Sequence, residues 1–288
     1  MAVAALLLSG LLWGTTWMPL KYFATQGLTG ITVTLCAYGL VGAAALPWMF
    51  QQRAAWLPQW RLVAGVGMFC GLANACFTTA MMFGEVARSM LLFYLVPVWG
   101  VLGGWLFLGE KITAPRSLAA AMAIAGALLV LGGPEVLSSA PRLLDFAAIG
   151  AGFFYAAQNL CARASDRTPV LPKMLMAFVG CTGVAALLLP FTGAGRPVLS
   201  LALGLALLAF ALVWLVAAMW TQTYGASHLE SGRASVLVIF ELLAAVVTAL
   251  WIGGERLDAL GWTGAALIVI AALIEARGSS APPALEHA

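Results

Sequence analysis

The chain has 288 residues, of which 63% are hydrophobic and 9% charged, and its mean hydropathy is +1.00. A soluble domain carries about 25% charged residues because its surface must meet water, so this composition excludes a soluble globular protein. The net charge of +3 is the balance of 14 Lys and Arg against 11 Asp and Glu, which are scattered at segment ends. Because these charges form no basic face, the chain is not expected to bind nucleic acid.

Apolar segments follow one another along nearly the whole chain. A bilayer span needs about 20 mostly apolar residues, and charged residues, Pro and Gly mark the joints between such segments. These joints predict ten transmembrane helices, near residues 2–22, 30–50, 61–83, 88–108, 116–132, 143–163, 173–190, 199–223, 232–253 and 260–276. The joints are too short for a soluble domain, so we expect any function to be carried out within the membrane.

Positive charges are unevenly divided between the two sides of the predicted bundle. If the N-terminus is cytoplasmic, nine Lys and Arg lie in cytoplasmic joints and five lie on the other side. Short positively charged loops resist translocation, so both termini are predicted to be cytoplasmic. Residues 279–288 are predicted to be a flexible tail, and their Leu-Glu-His sequence is typical of an expression-vector scar.

An internal repeat divides the chain into residues 1–138 and 139–278, each with five predicted helices. Residues 85–111 align with residues 230–256 at an offset of 145. The aligned pairs are Glu85 with Glu230, Arg88 with Arg233, Gly109 with Gly254, Glu110 with Glu255, and Lys111 with Arg256. Because five is odd, the second half enters the membrane in the opposite sense. The predicted fold class is therefore an all-α polytopic membrane protein with inverted repeats, an architecture typical of secondary transporters.

Polar and aromatic side chains recur near the middle of the predicted helices. They are Trp13, Trp17, Asn74, Thr78, Tyr94, Trp99, Tyr155, Gln158, Asn159, Trp214, Trp220, Thr221 and Tyr224. A single polar residue in such a helix often serves as a contact between helices, and aromatic stripes can equally face lipid. These residues occur in helices one, three and four and in their repeat counterparts, which favours a shared central cavity.

Glu241 is the charged residue predicted to lie farthest from a helix end. A carboxylate surrounded by hydrocarbon costs several kcal/mol, so such a residue faces a hydrated cavity or a partner, or stays protonated. We interpret Glu241 as a site for a substrate amine or a proton. The alternative is a neutral carboxyl group that a neighbouring helix satisfies.

Short motifs in both halves are those of a known family. They are Trp13-Gly14-Thr15 with Trp17, Pro97-Val98, Leu108-Gly109-Glu110, Glu241, and Gly254-Glu255. With them the chain resembles, over nearly its whole length, the EamA-type exporters of the drug/metabolite transporter superfamily. The resemblance implies ten helices, an inner-membrane location and export of small metabolites, and the aromatic first helix is similar to that of the aromatic amino-acid exporters. One departure is Leu242, which follows Glu241 where the family usually has Pro.

These observations favour a secondary transporter over an enzyme or a channel. The sequence has no Walker-type lysine, phosphate loop or metal-ligand cluster, so no ATP-driven pump, cofactor or metal is expected. An intramembrane enzyme acting on a lipid-linked substrate is one alternative, although Glu241 has no His or Asp companion. A channel is another, although the midplane residues differ between the halves. We expect alternating-access export of amino acids and related amphipathic metabolites, with small molecules and the lipid bilayer as partners and the oligomeric state left open.

Overall fold

The computed structural model describes residues 1–109, 113–130, 142–191, 200–228 and 231–278. Within these ranges every regular element is helical and no β-strand occurs. The predicted tail, 279–288, lies outside the described residues. The helices are α1 (Ala2–Gly14), α2 (Trp17–Thr25), α3 (Gly30–Gln51), α4 (Arg53–Trp56), α5 (Trp60–Phe83), α6 (Val86–Phe93), α7 (Val96–Leu108), α8 (Ala114–Val130), α9 (Leu143–Ala164), α10 (Val170–Leu188), α11 (Leu201–Ala209), α12 (Val216–His228), α13 (Ser231–Trp251) and α14 (Ala259–Gly278).

Six stretches of the described chain are long and apolar enough to cross a membrane. They are Ala2–Thr25, Gly30–Gln51, Arg53–Phe83, Val86–Phe107, Val170–Phe191 and Leu201–Gln222. Shorter apolar helices cover Ser117–Val130, Phe240–Trp251 and Ala259–Ile274. The prediction of an all-helical chain with membrane-spanning segments is confirmed, whereas the count of ten helices stays a prediction.

Three of the spans are interrupted near their middle. The first is interrupted between α1 and α2, the fourth between α6 and α7, and the eighth predicted helix contains a π-helical segment, Phe210–Leu215, between α11 and α12. Pro19 and Pro97 lie in the first turns of α2 and α7. A proline is tolerated there because the N–H that it lacks has no acceptor within the helix, so each proline marks where a helix restarts.

Helices of the first half pack mainly on helices of the second half. Helix α1 packs against α12 and α13, and α9, its counterpart in the repeat, packs against α5, α6 and α7. Helix α3 packs on α10, and α8 packs on α14. Two inverted repeats at 1–138 and 139–278 would pack in this reciprocal way, and the division at these residues stays a proposal.

Two large hydrophobic cores hold the described helices together. The larger one surrounds α2 and α6 and includes Leu20, Phe23, Met90 and Leu91, each at most 1% exposed. The smaller one is rich in alanine and lies between α7, α8, α9 and α14. Small residues let these helices approach closely because their backbones are not held apart by side chains.

Polar contacts join the loop before α5 to the loop after α9. The Gln59 Nε2 donates to Asp166 Oδ1 at 2.9 Å, and Gln59 Oε1 accepts from the Arg167 N–H at 3.1 Å. The hydrogen bond from Gln59 is the main cause that lowers the pKa of Asp166 from its ordinary value. We call this end of the bundle the Gln59 face.

A second set of contacts gathers other helix ends. Lys21 Nζ lies 3.4 Å from Glu255 Oε1, and Arg88 forms a bidentate ion pair with Asp145, with Nε–Oδ1 at 2.7 Å and Nη2–Oδ2 at 2.9 Å. We call this end the Lys21 face. The predicted alternation of the loops assigns Lys21 and Arg88 to one side of the membrane and Arg167 to the other, and this assignment stays a prediction.

The predicted orientation is testable at these two faces. Glu85 at the Lys21 face has a 54% exposed side chain, and Asp166 at the Gln59 face is also exposed. With cytoplasmic termini, an impermeant thiol reagent added to intact cells labels a cysteine-free background carrying Glu85→Cys and spares one carrying Asp166→Cys. Labelling of the second variant alone would reverse the orientation, and permeabilised cells, in which both variants are labelled, are the control.

Candidate functional site

A small cavity lies between α1, α2, α3, α5 and the π-helical segment. Its volume is about 20 Å³, which is room for roughly one water molecule. Three of the residues predicted from the sequence line it, namely Trp13, Asn74 and Thr78. The other lining residues are Thr16, Leu20, Val33, Thr34, Tyr38, Phe77, Phe210 and Leu215. We call this space the central cavity.

One wall of the central cavity is a neutral hydrogen-bond network between α3 and α5. Asn74 Oδ1 accepts from Thr34 Oγ1 at 2.6 Å, and Asn74 Nδ2 donates to the Tyr38 hydroxyl at 2.8 Å. Thr78 Oγ1 donates to the Asn74 carbonyl at 2.9 Å. Thr34 and Tyr38 were not predicted as site residues from the sequence, although their spacing of four places both on one face of a helix. This wall offers hydrogen bonds without a fixed charge.

Two tryptophans connect α1 to the second half of the chain. Trp13 Nε1 donates to Gln222 Oε1 at 3.2 Å. Trp214 Nε1 donates to the Leu12 carbonyl at 3.0 Å and lies 3.1 Å from Thr16 Oγ1. The indole N–H groups therefore hold the two halves together.

Trp17 makes a similar connection between α2 and α13. It is buried, and its Nε1 donates to Thr248 Oγ1 at 3.0 Å. The Lys21 ammonium lies 5.5 Å from the centre of the indole ring, within range of a cation–π contact. Trp17 is thus placed between the interior of the bundle and its Lys21 face.

Glu241 is the central residue of α13 and is half-buried. Among the described residues its carboxyl group has no hydrogen-bond or ion-pair partner. The hydroxyl groups of Tyr94, which follows α6, and Tyr155, in α9, are close enough to interact with it electrostatically. We call Tyr94, Tyr155 and Glu241 the acidic cluster, which combines elements of both halves.

Helix α1 fixes the position of the acidic cluster through two glycines. A Cβ at Gly14 would lie 2.6 Å from the Glu241 carbonyl oxygen, and one at Gly10 would lie 3.2 Å from the Glu241 nitrogen. Any side chain at Gly14 would push α13 away. The GxxxG spacing of these two glycines, which lets helices approach closely, therefore places α1 directly on the backbone of Glu241.

Aromatic rings join the acidic cluster to the central cavity. Phe77 lines the cavity, and its ring lies 5.4 Å from that of Phe93, which in turn lies 5.6 Å from the ring of Tyr155. Tyr155 also interacts with the side chain of Asn159 one turn later in α9. The cavity and the cluster are thus neighbouring parts of one interior region.

Two predicted site residues lie elsewhere. Trp99 packs edge-on against Phe153 at 5.4 Å and belongs to the smaller core. Trp220 is 70% exposed and continues a stripe of exposed apolar side chains with Leu212 and Val216 at a spacing of four. Residues at a spacing of four lie on one side of a helix, so Trp220 faces outward with the stripe. The structure therefore places neither tryptophan at the central cavity.

The remaining predicted residues contribute less to the site. Gln158 is half-buried on α9, and Thr221 Oγ1 donates to the Ala217 carbonyl of its own helix at 2.7 Å. The side chain of Tyr224 and the whole of Glu110 lie outside the described residues. Nowhere in the described ranges do three or more His, Cys, Asp or Glu side chains come together as metal ligands.

Comparison with known proteins relates this arrangement to a family. The sequence model of the EamA-like transporter family matches residues 1–132 and 142–275. A solved crystal structure of a protein is similar with a TM-score of 0.59 and 18% identity, covering 97% of this chain and 98% of that one; at this identity the likeness concerns the fold alone. No curated protein sequence matches the chain.

Proposed function

Because the chain belongs to the EamA-like transporter family, we propose that it is a secondary transporter that exports amino acids and related amphipathic metabolites. The family and the helices long enough to cross a membrane make it a multi-pass membrane transporter. The proposed location is the bacterial inner membrane, with both termini in the cytoplasm. The proposed mechanism is alternating access around the central cavity and the acidic cluster.

The observation that carries the proposal is the carboxyl group of Glu241. It lies at the middle of a helix, and no described side chain pairs with it. A carboxylate at the middle of a membrane helix is costly without a partner. A substrate ammonium group would supply a counter-charge and hydrogen-bond donors, and a proton would neutralise the group. Aromatic residues beside it add ring faces, each of which attracts a cation by about 0.5 to 2 kcal/mol.

The lining of the central cavity supports amphipathic substrates. Asn74, Thr34 and Tyr38 provide neutral donors and acceptors, and Trp13 and Phe77 provide apolar surface. The described lining includes no Lys or Arg, so it offers no partner for a phosphate group. We therefore propose broad, low-affinity specificity that includes aromatic and medium-sized apolar amino acids and excludes phosphorylated sugars.

The size of the cavity supports alternating access. At about 20 Å³ the space holds roughly one water molecule and is too small for an amino acid. Substrate entry therefore requires helices of the two halves to separate. Reciprocal packing of α1 and α9 on the opposite halves suits such rocking, because similar halves can exchange shapes and open the site to either side.

Counterflow in proteoliposomes tests the proposed function. Vesicles loaded with an unlabelled amino acid should accumulate the labelled form transiently and with saturation, across a panel of aromatic, apolar and phosphorylated compounds. Protein-free vesicles are the control. Flux without saturation or counterflow would indicate a channel, and chemical conversion of a lipid-linked compound without translocation would indicate an enzyme.

A further inference from the structure

The N-terminus of α6 is capped by a side chain from the other half of the chain. Glu255 Oε1 accepts from the Val86 N–H at 2.7 Å, and Glu255 Oε2 accepts from the Ala87 N–H at 2.8 Å. Glu85, the N-cap residue itself, makes no side-chain cap. The first N–H groups of a helix lack partners within the helix, so α6 depends on Glu255 for two of them.

The chain around Glu255 is shaped to present this carboxylate. Gly254 has a φ of +67°, a conformation that glycine adopts without strain. The Glu255 N–H then donates to the Ala249 carbonyl at 3.1 Å, which folds the chain back over the end of α13. The carboxylate is thereby fixed relative to α13, the helix that carries Glu241.

Lys21 completes the contact from α2. Its ammonium lies 3.4 Å from Glu255 Oε1, and the two side chains are 34% and 12% exposed. One carboxylate thus joins α2 and α6 of the first half to the end of α13 in the second half. All of these contacts lie at the Lys21 face.

We propose that Glu255 is a latch that holds the Lys21 face of the transporter closed by bridging α6 and Lys21. The proposal rests on the proposed alternating-access function, since opening this face requires the two halves to separate there. Separation breaks the bonds of Glu255, yet water can then solvate the carboxylate, the ammonium and the two N–H groups. The latch is therefore a reversible bias toward the closed face, made of charge-assisted hydrogen bonds, which are stronger than neutral ones.

Thiol labelling measures this bias without any substrate. In a background free of Cys36, Cys70, Cys76, Cys161 and Cys181, Leu20→Cys places the reporter on a cavity-lining position that is 1% exposed. In lipid nanodiscs, Glu255→Ala should raise the labelling rate by a bulky hydrophilic maleimide about fivefold or more, the usual lower range of coupling between two states. Glu255→Gln should raise it less, because the amide keeps one acceptor oxygen.

The matched control is Glu85→Gln at the same face. Glu85 pairs with Arg142 at 3.1 Å, but the side chains are 54% and 72% exposed, and an exposed pair of this kind contributes little. This variant loses the same charge and should label at the parental rate. An equal rise in both variants, or no rise in Glu255→Ala, would overturn the latch.

A second variant separates opening from unfolding. If Glu255→Ala destabilises the protein, Glu85→Ser added to it gives α6 a local N-cap and should restore the thermal midpoint while labelling stays fast. Labelling that returns to the parental rate together with stability would show that Glu255 is only structural. Counterflow by the parent protein is a separate readout: its absence would overturn the proposed function, whereas unchanged labelling overturns the latch alone.

Discussion

Replacing Glu241 with Gln is expected to lower counterflow about tenfold or more, because hydrogen bonds to charged groups contribute about 1.5 to 3 kcal/mol. The amide keeps the size of the side chain and its ability to form hydrogen bonds but removes the charge that titrates. Backbone contacts with Gly10 and Gly14 are unchanged by this substitution, so α1 and α13 should stay packed. Any pH dependence of transport that comes from this carboxyl group should disappear in the variant.

Two further variants make this test specific. Glu241→Asp keeps the carboxylate and should retain pH dependence at a reduced rate, since the group is drawn back from Tyr94 and Tyr155. Glu85→Gln removes an exposed carboxylate outside the cavity and should transport like the parent. A folded Glu241→Gln protein with the parental rate and pH profile would show that Glu241 serves only as a contact between helices.

Helix positions were predictable from the sequence because hydrophobic length is a strong signal in a membrane protein. The predicted segments 30–50 and 61–83 end within a residue or so of α3 and α5. The π-helical segment Phe210–Leu215 gave no such signal, since its residues are as apolar as those of its neighbours. Interruptions after Gly14 and Phe93 were only indicated by the nearby prolines, which do not fix where the preceding helix ends.

The candidate site was predictable where a residue is unusual for its depth. Glu241 stands out because it is the charged residue farthest from a helix end. Trp13, Asn74 and Thr78 are polar or aromatic residues in apolar segments, and all three line the central cavity. Trp220 was not separable from these residues, because the sequence does not tell which face of an apolar helix points outward.

The contact of Glu255 with α6 could not be predicted from the sequence either. Val86 and Glu255 are 169 positions apart, and nothing local in either segment indicates the other. The repeat singled out Glu255 as a landmark but gave no reason for it. The fold supplies that reason by bringing the end of α13 against the start of α6, which has no side-chain cap from its own N-cap residue.

Truncating Trp17 or Trp214 to Ala is expected to weaken transport of aromatic substrates about fivefold more than transport of small ones, because an aromatic pair contributes about 0.5 to 1.5 kcal/mol. Both indoles also make hydrogen bonds within the protein, to Thr248 and to the Leu12 carbonyl. The Ala variants should therefore be less stable as well. Kinetics must be normalised to the amount of folded protein.

Phe at the same positions separates the two roles of the indoles. Trp17→Phe and Trp214→Phe keep a ring face but lose the N–H donor, so they should lower the thermal midpoint while largely keeping the preference for aromatic substrates. Trp220→Ala, on the exposed stripe, is the matched control and should leave selectivity unchanged. Equal losses for every substrate in Trp17→Ala and Trp214→Ala would mean that these rings hold helices together without touching the substrate.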